Sequence, residues 1–207
     1  MRISEILRIP TQHFPEHKVK HILQYAIDDK GEIDGLRVHY LEHNDERIVI
    51  LTDSNGTIAA FAGFISRLND KVWQAHNLQT YNQYTGNKLG AKIYKFAKES
   101  LKKSIQSDIE QSSGSENLWI NTLPSLGLHP KIFDTESQYI IDQSYPEKYK
   151  EVLAKMYSID ESDPDKYRYT WILEKNDYYR EHNILTEHRL LLPTNWCWCR
   201  FNNQEKL

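Results

Sequence analysis

Leu78-Gln79-Thr80-Tyr81-Asn82-Gln83-Tyr84-Thr85-Gly86-Asn87-Lys88-Leu89-Gly90-Ala91 is the stretch that decides the fold of this chain. Its first residues close an alternating run from Val72 to Thr80 that reads as a strand, with Val72, Gln74, His76, Leu78 and Thr80 expected on one face and Trp73, Ala75, Asn77 and Gln79 on the other. A polar turn follows. From Gly86 the period changes, because Leu89, Ile93, Phe96, Ala97 and Leu101 recur at helical spacing. A strand-turn-helix junction of this kind points the unpaired N–H groups of a first helical turn at one spot, which attracts anions.

Upstream, Thr11 to Ala26 reads as a short helix with Pro15 near its start. Leu36 to Leu41 and Arg47 to Thr52 read as strands, and Asp53-Ser54-Asn55-Gly56 supplies a tight turn into Thr57 to Ser66, since Asn-Gly tolerates positive φ. Downstream, Ser104 to Ser107 is a short strand candidate, followed by a polar loop and a helix capped by Ser115 and stopped by Pro124. Lys131-Ile132-Phe133 and Tyr139-Ile140-Ile141 form a second hairpin, Tyr145 to Tyr157 is helical, and Tyr167 to Leu173 is a strand. This order predicts an α/β (α+β) protein: a central mixed, mostly antiparallel sheet with helices on both faces and a C-terminal extension. One domain over 1–145 is expected, with 146–207 packed on it or completing it.

Composition narrows the partners. With 26 Lys and Arg against 29 Asp and Glu, the net charge is -3, so a polyanion partner would need a local basic patch. Lys88, Lys92, Lys95, Lys98, Lys102 and Lys103 supply one along the central helix, although a solvated face is the plainer reading. No run approaches the roughly 20 apolar residues that cross a bilayer, and Met1 to Pro10 carries charge where a signal peptide needs apolar residues, so a soluble cytoplasmic protein is expected. Cys197 and Cys199 are the only two cysteines. They make no disulfide framework, and neither they nor the His13, His17, His21 series carries the further ligands a metal site needs.

The junction resembles the GNAT superfamily of N-acetyltransferases. There a strand ending in an apolar-x-apolar triplet, here Leu78-Gln79-Thr80, leads through a glycine-bearing turn, here Tyr84 to Ala91, into a helix, and the register needs no gap. The resemblance implies that acetyl-CoA lies across the junction, with the exposed backbone of Leu78, Gln79 and Thr80 pairing with the pantetheine arm. Thr85, Gly86, Asn87, Lys88, Leu89, Gly90 and Ala91 would hold the pyrophosphate, the amides from Asn87 onward facing it and glycine permitting close approach. The pattern departs from the family where Thr85 replaces an Arg or Gln, where Lys88 replaces a turn glycine, and in lacking a tyrosine acid between Leu123 and Phe133. The loop from Ser107 to Gly114, followed by Leu118-Trp119 and Lys131 to Asp134, is similar to acetyltransferase-like proteins of tailed bacteriophages, which would place the protein in the host cytoplasm.

Acetyl transfer to an amine needs a base to take the amine's proton and donors to polarise the thioester oxygen. His76 is the first candidate base, two residues before Leu78 on the strand that would border the acceptor. Asp108 and Glu110 come next, where the following strand should end at the cleft. A structural histidine and loop-capping acids are the plain alternatives. Ser113 and Trp119 are assigned to loop closure and core.

Three functions compete: an acetyl-CoA-dependent acyltransferase (a transferase acting on an unidentified amine), a catalytically inactive GNAT-like module that binds a host protein, and a nucleic-acid-modifying or binding protein using the lysine face, which the net negative charge disfavours.

Overall fold

The computed structural model describes residues 15–26, 28–108, 113–141, 143, 146–158 and 163–175. After a short helix, α1 (Glu16–Leu23), five strands pair in sequence order as an antiparallel meander: β1 (Asp28–Ile33), β2 (Leu36–His43), β3 (Glu46–Thr52), β4 (Ile58–Arg67) and β5 (Val72–Thr80). Helix α2 (Leu89–Glu99) then crosses to β6 (Ser104–Gln106), which pairs with β5 in parallel. Next come α3 (Ser113–Asn117), β7 (Lys131–Asp134), β8 (Ile140–Ile141), α4 (Pro146–Met156) and β9 (Tyr169–Leu173). The sheet order is β1-β2-β3-β4-β5-β6-β9-β7-β8, so the last strand in sequence is inserted between β6 and β7. Every pairing except β5/β6 is antiparallel. This is the mixed, mostly antiparallel sheet with helices that the strand pattern predicts.

The two faces of the sheet carry separate cores. On one, Val19 and Ile22 of α1 (Glu16–Leu23) pack with Leu41, Ile48, Ile50, Ile58, Phe61 and Tyr81. On the other, Ile93, Tyr94 and Ala97 of α2 pack with Val49, Leu51, Ala62, Phe64 and Trp73. That face is strung together by aromatic contacts. Tyr40 stacks on Trp73 at 5.9 Å, Trp73 meets Phe64 at 5.4 Å, Phe64 meets Tyr94 at 5.7 Å, Tyr94 meets Trp119 at 5.5 Å, and Trp119 stacks on Trp171 at 6.2 Å. Each such pair contributes on the order of 1 kcal/mol beyond the area it buries. The row ties the antiparallel meander to β9 across the strand junction where the parallel pair lies.

Turn chemistry is explicit at two hairpins. In the β3–β4 connection only Gly56 has positive φ, at 78°, and the turn is held by Asp53, whose Oδ1 accepts the Asn55 and Thr57 N–H groups at 2.9 and 2.8 Å. The tight turn expected over Asp53 to Gly56 is thus present, closed by the Gly56 N–H to the Asp53 carbonyl at 3.0 Å and capped by the aspartate side chain. The two-residue turn with both φ values positive is Asp34-Gly35, at 53° and 75°, which pairs Ile33 with Leu36 and adds β1, a strand too polar to show in the hydrophobic pattern. The helix expected to start at Ser115 begins at Ser113 and passes into a π-helical turn, Leu118–Thr122, before Pro124 starts a 3-10 turn.

The β4–β5 hairpin turns through Leu68, Asn69 and Asp70, all at positive φ. Asp70 holds this strained turn. Its Oδ1 accepts from Arg47 Nε at 3.0 Å, Ser66 Oγ at 2.9 Å and Trp73 Nε1 at 2.8 Å, and its Oδ2 pairs with Lys103. Burial alone would raise the Asp70 pKa, but the bonds from Lys103, Trp73 and Ser66 outweigh it and hold the carboxyl below its ordinary range.

Candidate functional site

A cleft opens where the parallel pair comes apart. β5 and β6 pair only at Val72/Ser104, Trp73/Ile105 and Gln74/Gln106; β6 then stops, while β5 runs on to Thr80 beside β4. Ser107 turns away to β9, giving its N–H to the Trp171 carbonyl and accepting the Trp171 N–H on its hydroxyl, both at 2.9 Å. The wedge between is a cavity of about 720 Å³, floored by Ala75, Leu89, Ala91, Tyr94 and Trp119 and walled on the far side by Gly114, Ser115, Asn117, Leu118 and Thr122.

The free edge of β5 faces this wedge. Tyr81 donates its N–H to the Ala59 carbonyl at 3.0 Å, which makes 59/81, and two residues earlier 61/79, the hydrogen-bonded pairs of the β4/β5 ladder. By the same alternation 63/77 is the next such pair, so the intervening residues, Leu78 and Thr80, direct their N–H and C=O groups away from β4 toward the edge that β6 leaves uncovered. Both line the cleft, as do Thr85, Gly86, Lys88, Leu89, Gly90 and Ala91. Gln79 and Asn87 are not among the lining residues.

The turn into α2 is open to a ligand. Gly86 has φ of 85° and no atom within 4 Å of where a Cβ would stand, so its backbone conformation and not space demands glycine. Lys88, the N-cap, is left-handed at φ 56°, a conformation that costs a non-glycine residue about 1 kcal/mol. No side chain caps the helix, so its first-turn N–H groups keep their donor capacity. The Lys88 ammonium reaches across the mouth to Ser125 Oγ at 3.0 Å, and that hydroxyl donates to the Thr122 carbonyl at 2.7 Å.

His76 enters the cleft through an irregularity. Phe64 opposes Ala75 and Gly63 opposes Asn77, leaving His76 as an extra residue with no opposite number in β4. Such bulges re-aim a side chain and reverse the alternation beyond them. The strict alternation expected along Val72 to Thr80 therefore fails: Leu78 shares its core face with Trp73 and Ala75, not with Val72 and Gln74. His76 Nδ1 stands 3.9 Å from Asp108 Oδ2, with their side chains about one-third exposed, at 32% and 38%. The strand end thus brings His76 and Asp108 together in one cleft. Glu110 lies outside the described residues, as do His13, Cys197 and Cys199.

No family model matches this chain, and no curated protein matches it. Among solved structures, one assigned to the GNAT acetyltransferase family, from Bacteroides thetaiotaomicron, aligns over 91% of this chain and 86% of its own at 11% identity, with a TM-score of 0.38. A likeness that distant decides nothing about chemistry, and the fold stands on its own strand order.

Two further lining residues, Tyr94 and Ser107, shape the site. Tyr94 is 3% exposed yet lines the cleft, and burial, reinforced by the Asp108 carboxylate, pushes its hydroxyl well above the ordinary tyrosine range. Its signal was its place one turn after Gly90 on the same helix face. Ser107, 2% exposed, also donates to the Asp108 carbonyl at 2.8 Å and so fixes the chain where Asp108 leaves β6. Among the described residues no group of three His, Cys, Asp or Glu could hold a metal ion, and no helix is long and apolar enough to cross a membrane.

Four of the six lysines of the basic face are engaged within the fold: Lys88 with Ser125, Lys92 with Asp34, Lys95 with the Leu126 carbonyl and Lys103 with Asp70. Their positions reflect helix anchoring more than an open phosphate groove.

Proposed function

We propose that the protein is an acetyl-CoA-dependent N-acyltransferase that acetylates an amine. The observation that carries this reading is the uncovered β5 edge at Leu78 and Thr80, which leads directly into an uncapped helix start. An extended amide-bearing arm and a pyrophosphate, joined in one ligand, complement those two features. The open space over Gly86 and the Lys88 ammonium fit the anionic end.

The donor would supply an activated thioester carbonyl. His76 would accept the proton that the attacking nitrogen must lose, and Asp108, 3.9 Å away, would favour the imidazolium so formed. The same carboxylate would draw a cationic amine into the wedge. A β5 edge N–H would stabilise the negative charge that develops on the carbonyl oxygen. The thiolate leaves with a proton from solvent or from a cleft group, and the amine becomes an amide. A phage setting, with the host cytoplasm as compartment, belongs to the same reading through the similarity of the 107–134 region.

Calorimetric titration with acetyl-CoA tests the reading, with saturable binding expected. No detectable heat at millimolar ligand would remove the transferase and favour a module that binds a protein partner. Given binding, His76→Ala should leave the donor affinity within about twofold and lower turnover by about 10²-fold or more.

A further inference from the structure

The turn that would hold the pyrophosphate is fastened from outside the cleft. Tyr84 ends the 3-10 turn Asn82–Tyr84 and donates its hydroxyl to Asp53 Oδ2 at 2.8 Å. Neither residue lines the cleft. The two oxygens of Asp53 divide the work, since Oδ1 accepts the Asn55 and Thr57 amides that shape the β3–β4 turn while Oδ2 takes Tyr84. Immediately after Tyr84 come Thr85 in extended conformation and then Gly86 and Lys88 at positive φ, none of them in a strand or helix. The backbone bonds at the start of this segment are long, Thr85 N–H to Asn82 carbonyl at 3.3 Å and Asn87 N–H to Tyr84 carbonyl at 3.4 Å. Thr85 Oγ1 adds a local bond to the Asn82 carbonyl at 2.8 Å, whereas the Tyr84–Asp53 latch is charge-assisted and fastens the turn to a distant segment.

We propose that the Asp53–Tyr84 hydrogen bond pre-organises the 85–91 turn for the donor's phosphates, making Asp53 and Tyr84 positioning residues that set donor affinity without touching the donor. This rests on the acetyl-CoA reading above. A turn held in its bound shape spares the ordering cost that binding would otherwise incur. The latch ties that shape to the β3–β4 hairpin, whose flanking strands are buried in the centre of the sheet.

Tyr84→Phe removes the latch and leaves the Asp53 turn intact. It should raise the dissociation constant for acetyl-CoA about 3- to 10-fold, leave kcat at saturating donor unchanged, and speed amide hydrogen exchange in 85–91 while β3 and β4 exchange as before. Asp53→Asn is the conservative rescue, because its carbonyl oxygen still accepts both turn amides and its amide nitrogen can donate to the Tyr84 oxygen; affinity within about twofold of wild type is expected. A wild type that binds acetyl-CoA, paired with a Tyr84→Phe variant of unchanged affinity or unchanged exchange in 85–91, overturns the inference alone. A wild type that does not bind overturns the donor reading, and the affinity role falls with it.

Discussion

Gly90 rests against Leu78: a Cβ on Gly90 would stand 2.9 Å from Leu78 Cδ2 and 3.2 Å from its Cγ. The glycine is therefore where helix α2 meets strand β5, and the leucine it touches belongs to the uncovered edge. Gly90→Ala gains up to about 1 kcal/mol of helix propensity but forces Leu78 to move. Stability should stay within about 1 kcal/mol of wild type, while acetyl-CoA affinity falls as the β5 edge shifts. In a Leu78→Ala background the same substitution should be stabilising; a denaturation double-mutant cycle with no coupling between the two sites would contradict the contact.

Lys88 offers a separable pair of variants. Lys88→Ala and Lys88→Gly both remove the ammonium, and both should weaken acetyl-CoA binding by roughly the same factor, about tenfold. Only glycine relieves the left-handed strain. The Gly variant should be more stable than the Ala variant by about 1 kcal/mol in urea denaturation. Equal stabilities would mean that the φ of 56° at this position carries no strain.

Asp70 should govern part of the acid response. Its carboxyl is depressed in the fold, so the stability it contributes is complete above its unfolded value, about 3.9, and is lost as pH falls below that through the folded value. Asp70→Ala leaves the buried Trp73 N–H without its acceptor and removes one partner of Arg47, and should cost about 2–4 kcal/mol at pH 7. For Asp70→Asn, the stability gap to wild type should narrow as pH drops below about 4. Asp134, depressed as well by Arg168 and Ser137 despite its burial, keeps a residual acid slope in the variant. A gap that widens at low pH would refute the assignment.

Much of this fold is legible along the chain because its signals are local. The buried run of β3, the 3.6 period after Gly86 and the hairpin at 131–141 each follow from neighbouring residues. What is hidden depends on distant pairing. β1 reads as a polar segment and becomes a strand because β2 completes it through Asp34-Gly35. His76 looks like one more member of an alternating series; only the count of residues opposite it in β4 shows the bulge that sends it into the cleft. Tyr94 is an ordinary core aromatic by pattern, and its cleft position arises because β6 ends three residues after it begins. Lys88 is visible as an irregular residue in a glycine position, yet its reach to Ser125 joins segments 37 residues apart.

The place of β9 in the sheet imposes a schedule on the growing chain. The meander from β1 to β5 links neighbours in sequence and can assemble as it emerges, with β6 added through its helix. The hairpin of β7 and β8 has no berth until Tyr169 to Leu173 have been made, because β9 is the strand that joins it to β6. Until then the edge of β6 stays bare and the hydroxyl of Ser107 lacks the Trp171 N–H it accepts in the finished sheet. The wall that carries Asp108 thus sets last, and a nascent chain stalled before Tyr169 would hold the phosphate turn without the acid that faces His76 being locked in place.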